Sequence, residues 1–271
     1  MAQADEEVIA MWFDTHAHVE GERFDEDRPE VIERAAKAGV NRFVNIGTDE
    51  ESIQQTMMLI EEYDQVYGAV GIHPHAASSV NDALVDTLRQ CAAHPKILAI
   101  GEIGLDYHYD YAPKDVQRSA FRQQIRLAKE LSMPILIHDR EAHRECLDIL
   151  TEEDGWACGG IFHCYSGSAE TASEIVGHGF YISFTGVLTF PNAKNVRRAA
   201  AEVPLYRLLV ETDCPYLSPQ TYRGKRNEPA YVVETGRALA ELRGISYEEM
   251  ASITWENACK VYRIDSREGG R

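Results

Sequence analysis

Short apolar runs rich in β-branched residues alternate along this chain with longer stretches whose apolar residues recur at helical spacing. The helical pattern is clear in Phe121, Ile125, Ala128 and Leu131, and it ends before Pro134. The short runs predict eight strands, near residues 12–17, 42–47, 66–72, 97–103, 134–139, 160–164, 180–186 and 207–212. After the eighth strand, two further helices are predicted at about 229–243 and 246–262.

This alternation predicts an α/β fold, because near-continuous apolar strands separated by helices are typical of a parallel sheet covered by helices. An open, doubly wound sheet should carry a glycine-rich phosphate turn after its first strand. The sequence has DTHAH at 14–18 instead. Eight repeats therefore favour closure into a (β/α)8 TIM barrel. No linker interrupts the pattern, so we expect a single domain over residues 11–265, preceded by an N-terminal extension at 1–10.

The composition limits the classes of partner. Lys and Arg total 27 against 44 Asp and Glu, which gives a net charge of -17. This balance disfavours a broad electrostatic grip on nucleic acid or an anionic membrane, so a nucleic-acid substrate would need a local basic patch or metal ions. The six cysteines show no C-x-x-C pair, and neither a signal peptide nor an apolar run of 18 residues is present. We therefore expect a cytoplasmic protein with reduced thiols and no membrane segment.

Side chains that can bind metal follow the predicted strands. In a barrel, the carboxyl ends of the strands carry the active site. Charged groups and imidazoles directly after apolar runs are costly to bury unless they are paired or bind metal. The H-x-H pair of the first strand is weak evidence alone, but the groups accumulate at one end only. They are Asp14, His16, His18, His73, Glu102, Asp106, His138, His163, Glu211 and Asp213.

The motifs that carry these residues resemble, in order, the signatures of the TatD-type metal-dependent deoxyribonucleases, a group within the amidohydrolase superfamily. The resemblance covers nearly the whole chain, from about Met11 to Arg263, and the usual family opening corresponds to Met11. The motifs are DTHAH at 14–18, GIHPH at 71–75, GEIGLDY at 101–107, IHDR at 137–140, HCYSG at 163–167, ETDCPYLSP at 211–219 and RGKRNEPAYV at 223–232.

The resemblance implies a site for two divalent metal ions. The first would be held by His16, His18 and Asp213, the second by His138 and His163, and both by a bridging Glu102. Many amidohydrolases have a carbamylated lysine at the bridging position, whereas this sequence has a glutamate. Four imidazoles and two carboxylates suit Zn and tolerate Mn, while Mg would use the carboxylates and keep several waters.

The implied reaction is hydrolysis of DNA phosphodiesters, as in a 3'-5' exonuclease. Two cations about 3.5–4 Å apart can share a hydroxide and oppose charge on the attacking and leaving oxygens. We expect Glu102 and Asp213 to be the catalytic carboxylates, with Asp213 as general base. The alternative is that Asp213 is only a ligand. The substrate would be a 3' end or a short single strand, since aromatic and basic residues do not interleave into a long track.

Six residues are candidates for contacting the substrate. Arg223, Lys225 and Arg226 form a dense basic cluster after the eighth strand, which either binds phosphate or is a solvated turn. His73 and Arg140 can contact phosphate or the transition state. Tyr107 either stacks on a base or packs in the ordinary way.

Two other functions remain open. The same metal site could hydrolyse a different bond, such as a lactone, an amide or an aminoacyl ester, because a fold does not fix the substrate. A loss of activity on replacing Arg226 would favour phosphate chemistry over these. A non-catalytic metal-holding protein is disfavoured because all six ligand positions are present. No obligate protein partner is evident, and the lack of an exposed apolar stripe predicts a monomer.

Overall fold

The computed structural model describes residues 10–109 and 111–266, so residues 1–9 of the predicted extension lie outside the described residues. The described strands form one parallel sheet in the order β1 to β8. They are β1 (Trp12–Ala17), β2 (Val40–Gly47), β3 (Val66–Val70), β4 (Ile97–Asp106), β5 (Ile135–Arg140), β6 (Gly160–Phe162), β7 (Tyr181–Phe184) and β8 (Leu208–Val210). This confirms the predicted (β/α)8 barrel. The boundary of the extension stays a prediction.

Backbone hydrogen bonds join the first strand to the segment after the last one. The amide of Asp213 donates to the carbonyl of His16 at 2.9 Å, and the amide of His18 donates to the carbonyl of Cys214 at 2.8 Å. The barrel is therefore nearly closed at the carboxyl ends of β1 and β8. Both of these segments carry side chains of the predicted metal site.

The helices lie between and after the strands. Four of the described α-helices begin at side-chain caps that the sequence supplies. For example, Asp49 accepts from the Ser52 amide before the helix Glu50–Glu62, and Ser246 accepts from the Glu249 amide before the helix Tyr247–Tyr262. No helix in the described part of the chain combines the length and apolar character that crossing a bilayer requires. The helices are α1 (Arg28–Lys37), α2 (Glu50–Glu62), α3 (Asp82–Cys91), α4 (Lys114–Leu131), α5 (His143–Glu152), α6 (Ala169–Gly177), α7 (Lys194–Glu202), α8 (Val232–Arg243) and α9 (Tyr247–Tyr262).

Several element boundaries differ from the prediction. β4 continues to Asp106, three residues past its predicted end, because it keeps pairing with β5 as far as Arg140. β6 and β8 are shorter than predicted, so the polar residues after them lie on loops. Residues 229–231 form a 3-10 turn, and the helix predicted from 229 begins at Val232.

The amino-terminal half of the barrel interior is apolar and closed. Phe13 and Leu136, which lie near the starts of their strands, pack in one buried cluster with residues of α9. The Phe13 ring lies 5.7 Å from Trp255 and 5.8 Å from Tyr262, measured between ring centroids. The Tyr262 hydroxyl donates to the carbonyl of Thr15 at 2.7 Å. Helix α9 therefore covers this end, and the opposite end remains for the functional site.

Gly104 lets β4 and β5 approach closely beside that site. It pairs with His138 and has a φ of +145°, a region that favours glycine. A Cβ atom at this position would lie 2.0 Å from the His138 carbonyl oxygen. The glycine thus allows the strand that carries Glu102 to run against the strand that carries His138.

Candidate metal centre

Glu102 lies at the centre of the open end of the barrel, and its Oε2 atom faces two of the predicted ligands, His16 and His18. Oε2 is 3.4 Å from His16 Nε2 and 4.0 Å from His18 Nε2. Asp213 Oδ1 lies 3.4 Å from His18 Nε2 and 3.9 Å from His16 Nε2. His16, His18 and Asp213 therefore form one group of nitrogen and oxygen atoms spaced closely enough to share an ion.

The other carboxylate oxygen of Glu102 faces a second group. Its Oε1 atom is 2.5 Å from His138 Nδ1 and 2.7 Å from His163 Nε2. These two imidazole nitrogens are 3.5 Å apart. The structure thus brings all six predicted metal ligands together, with one oxygen of Glu102 directed to each group.

His73 lies at ligand distance in the second group, although the sequence suggested a role in substrate binding. Its Nε2 atom is 3.2 Å from His138 Nδ1 and 3.5 Å from Glu102 Oε1. These three residues also form a set whose ligand atoms lie within 4.8 Å of one another. His73 lies three residues after β3 and is among the strand-end side chains that the sequence marks as able to bind metal, but it was predicted to contact substrate.

The second ring nitrogen of three ligands has its own partner. His138 Nε2 lies 3.0 Å from Asp106 Oδ2, and His163 Nδ1 lies 3.3 Å from Glu211 Oε1. His18 Nδ1 lies 3.1 Å from a backbone carbonyl of β2. Such partners fix the ring orientation of metal-binding histidines. Asp106 and Glu211, which the sequence placed only at strand ends, therefore orient the ligands beside them.

At this centre, the buried carboxylates and imidazoles shift each other's pKa values. Burial would raise the pKa of Glu102, but the charges of His163 and His73 and hydrogen bonds hold it well below its usual range. Burial likewise opposes the lowering of the Asp213 pKa, and the hydrogen bond from His18 together with the charges of His16, His163 and His18 outweighs it. Burial lowers the pKa of His73 to about 4. Both central carboxylates are therefore ionised in a largely buried site.

The donor set fits divalent cations. Within residues 10–109 and 111–266, Glu102 and Asp213 form ion pairs with histidines and with no lysine or arginine. Bound cations would balance the charge of the two carboxylates, and the imidazoles, neutral when they bind metal, would supply further donor atoms. The candidate ligand groups among the described residues contain no cysteine, and burial raises the pKa of the nearby Cys164 thiol well above its usual range. Nitrogen and oxygen donors without sulfur suit Zn or Mn.

The three basic residues of the loop after β8 lie in different environments. Arg226 donates from Nη1 and Nη2 to the two carboxylate oxygens of Asp27, at 2.7 Å each, and lies over the Phe24 ring at 4.4 Å. It therefore ties the loop to the start of α1. Arg223 and Lys225 are exposed. Phosphate binding by this loop stays a prediction. The exposed Arg223 and Lys225 are better candidates for it than Arg226.

The three tyrosines of the segment after β4 differ in their exposure and contacts. The Tyr107 hydroxyl donates to the Glu145 carboxylate, and Lys114 Nζ lies 4.2 Å from its ring centroid, so Tyr107 is engaged within the protein. Tyr109 and Tyr111 are exposed, at 41% and 69%. The exposed Arg140 lies 4.6 Å from the Tyr109 ring. Sequence reasoning missed the two outer tyrosines, although their spacing of two residues was a usable signal.

Comparisons with known proteins find relatives that match nearly the whole chain. A family model described as TatD related DNase matches residues 13–263. An uncharacterized metal-dependent hydrolase, YabD of Bacillus subtilis, is 49% identical over 94% of this chain and 100% of its own length. The 3'-5' ssDNA/RNA exonuclease TatD of Pectobacterium atrosepticum is 36% identical over 93% of this chain and 99% of its own. The crystal structure of YJJV, a TatD homolog from Escherichia coli K12, has a TM-score of 0.89 and 30% identity, covering 95% of this chain and 100% of that one.

Proposed function

The chain belongs to the TatD-related DNase family of metal-dependent hydrolases, and from that premise we propose that it removes nucleotides from the 3' end of single-stranded nucleic acid. The reaction class is hydrolysis of a phosphodiester bond. The polarity and the substrate come from the relatives named 3'-5' ssDNA/RNA exonuclease, which are 36% and 35% identical to this chain.

The observation that carries the proposal is the position of Glu102 between two groups of ligands. We assign His16, His18 and Asp213 to one cation and His138 and His163 to the other, with one Glu102 oxygen for each. When bound there, divalent cations would acidify a water molecule and neutralise charge developing on the phosphate. The protein supplies the fixed spacing of the donors, which the orienting contacts of Asp106 and Glu211 maintain.

Asp213 is the proposed general base. Its side chain is 16% exposed, whereas that of Glu102 is 4% exposed. Asp213 therefore faces the mouth of the barrel, where water and substrate arrive, while Glu102 is enclosed by imidazoles. A general base must be able to reach the proton that it removes, and of the two carboxylates Asp213 is the more accessible to water.

Three exposed cationic side chains are proposed to contact phosphates at the rim. Arg223 and Lys225 follow β8, and Arg140 ends β5. They are few, and the chain carries a net charge of -17. A short bound segment with a shallow salt dependence fits this distribution, because each phosphate neutralised adds to the salt slope.

The test is cleavage of 5'-labelled oligonucleotides by protein that has been stripped of metal and reloaded with Zn, Mn or Mg. Single-stranded DNA, duplex DNA and single-stranded RNA are compared in parallel. We expect a metal-dependent ladder on the single strands, lost on Asp213→Asn. Asp148→Asn is the matched control, since Asp148 is an exposed helical residue paired with Arg144. A chain that binds metal yet cleaves no oligonucleotide with any of the three ions contradicts the proposal.

Hydrolysis of a carboxylic ester or amide is the second candidate, and one observation favours it. Arg226, the innermost cation of the predicted phosphate loop, is already paired with Asp27. A smaller, uncharged substrate would need no such cation. Replacing Arg226 cannot separate the two candidates, since its loss would disturb the ion pair. Replacing Arg223 and Lys225 with alanine does separate them, because only phosphodiester hydrolysis should weaken.

A further inference from the structure

We propose that the parallel rings of Tyr109 and Tyr111 form a stacking platform for the unpaired bases of a single-stranded substrate, and that His75, edge-on to both rings, lies between this platform and the metal centre. The inference rests on the proposed function and names the element that would recognise the bases. It differs from the basic loop after β8, whose residues would contact only the phosphates.

The two tyrosines are exposed and already parallel. Their side chains are 41% and 69% exposed, their ring centroids lie 5.7 Å apart, and the angle between the ring planes is 14°. Exposed aromatic rings present a large apolar face to water, and covering that face with a base is favourable. A pair of rings held nearly parallel is suited to stacking.

His75 connects this pair to the metal centre. Its ring centroid lies 4.7 Å from that of Tyr111 and 6.3 Å from that of His138, one of the proposed ligands. His75 is one-third exposed, and its Nε2 atom lies 3.0 Å from Asp106 Oδ2. The His75 ring thus lies between Tyr111 and the second group of ligands. A nucleotide whose base stacks on the platform would therefore have its phosphate backbone near that group.

Asp106 fixes the platform and the metal ligand together. Its Oδ2 atom contacts His138, while its Oδ1 atom accepts from the backbone amides of His108 and Tyr109 at 3.0 and 2.8 Å. The side chain of Gln117 also donates to the Asp106 carbonyl at 3.1 Å. The start of the tyrosine segment is therefore held by a buried carboxylate, and little ordering is required when a base binds.

The net charge of the protein favours recognition of a nucleic acid through its bases over recognition through its phosphates. With a net charge of -17, the chain has little general attraction for a phosphate backbone. Stacking does not depend on that attraction, and it accepts every base because each has an aromatic face. Arg140, 4.6 Å from the Tyr109 ring, supplies one cation next to the platform for the adjoining phosphate. Bases within a duplex are already stacked, so the platform selects single strands.

The test measures binding and hydrolysis separately on the metal-loaded protein. The binding probe is a trinucleotide with phosphorothioate linkages and 2-aminopurine as its 3' base, whose fluorescence is quenched on stacking. Hydrolysis is followed on a normal single-stranded oligonucleotide. The variant is Tyr109→Leu/Tyr111→Leu, with Tyr109→Phe/Tyr111→Phe to keep the ring faces. Tyr206→Leu is the matched control, because Tyr206 is 63% exposed and lies before β8, at the other end of the barrel.

For the leucine variant we expect quenching to be lost and both Kd and KM to rise about 10- to 100-fold. Its kcat should stay within about 3-fold of the parent, since the platform binds rather than reacts. The phenylalanine variant and Tyr206→Leu should behave as the parent does.

Unchanged quenching and KM in the leucine variant would overturn the platform, even in an active nuclease. Displacement of the probe by a tyrosine-containing tripeptide at equal concentration would also overturn it. Tyrosine-dependent quenching in a protein that cleaves no oligonucleotide would support the platform while removing the proposed nuclease function.

Discussion

The two ends of the barrel are built from the same strands but have opposite chemistry. At the amino end, Phe13 and Leu136 pack against α9, and Trp255 and Tyr262 cover them. At the carboxyl end, the same two strands, β1 and β5, contribute imidazoles that face Glu102. A few residues along one strand therefore separate a position that stabilises the fold from one that serves the site.

This difference indicates that stability and function are carried by separate ends. Apolar burial supplies most of the free energy of folding. A site of buried acids and imidazoles contributes little and costs desolvation. Substitutions at the open end should therefore change metal binding and activity more than stability, and substitutions at the closed end should do the reverse.

The largest effect is expected for Glu102→Gln, which keeps the shape of the side chain and removes its charge. Activity should fall on the order of 10³-fold, because several kcal/mol of charge stabilisation depend on the bound cations. In the metal-free protein the melting temperature should fall only modestly, because His138 and His163 lose their charged partner but can become neutral. Steady-state kinetics, metal content and thermal melts measure these changes, with the exposed Glu170→Gln as control. A large drop in the metal-free melting temperature would show that Glu102 holds the fold together.

Phe13→Ala should produce the opposite pattern at the closed end. Removing a fully buried ring that packs on Trp255 and Tyr262 should lower the free energy of unfolding by about 3–5 kcal/mol. The kcat/KM of the folded fraction should remain within about 3-fold of the parent, because the cavity is far from the reacting bond. Urea unfolding and kinetics at low temperature test this. A loss of kcat/KM as large as the loss of stability, when both are expressed as free energies, would mean that the two ends are coupled.

Asp106→Asn should have an intermediate effect. The amide keeps a polar group beside His138 but loses the charge that orients its Nε2 proton. Loss of such a partner typically lowers metal affinity or activity about 10- to 100-fold. Competition with a fluorescent chelator measures the affinity. Asp139→Asn, a change in the neighbouring acid that pairs with His143 instead, is the comparison. Equal affinities in the parent and Asp106→Asn would remove the orienting role.

The smallest effect is expected for Asp27→Asn at the rim of the open end. The Arg226 hydrogen bonds lower the pKa of Asp27 from 3.8 to about 2. A lowered folded-state pKa gives stability that is present above pH 3.8 and lost as the pH falls through 2. Since the pair is partly exposed, its contribution should be below about 1 kcal/mol. Urea unfolding from pH 6 to pH 2 should show the stabilities of the parent and the variant converging below pH 3.8. A constant gap across that range would contradict the ion-pair origin.

Periodicity predicted the barrel, and the strand-end residues predicted a metal site at its carboxyl end, because both depend on local pattern and on the common direction of parallel strands. The choice of six ligands among those residues came from the family resemblance. Other features depend on contacts between distant segments. The pairing of Arg226 with Asp27 joins residues 199 positions apart, which no local pattern reveals. The engagement of Tyr107 by Glu145, and the exposure of the next two tyrosines, likewise follow from how β4 and α5 pack.

The position of Glu102 has a consequence for how ions would load. A single carboxylate that gives one oxygen to each group makes the two binding equilibria interdependent. Whatever factor the first ion imposes on the affinity for the second, the second must impose on the first. Titration curves should therefore deviate from the form for two independent sites. A mixed pair of metals would be a distinct species, whose properties are not the average of the two pure forms.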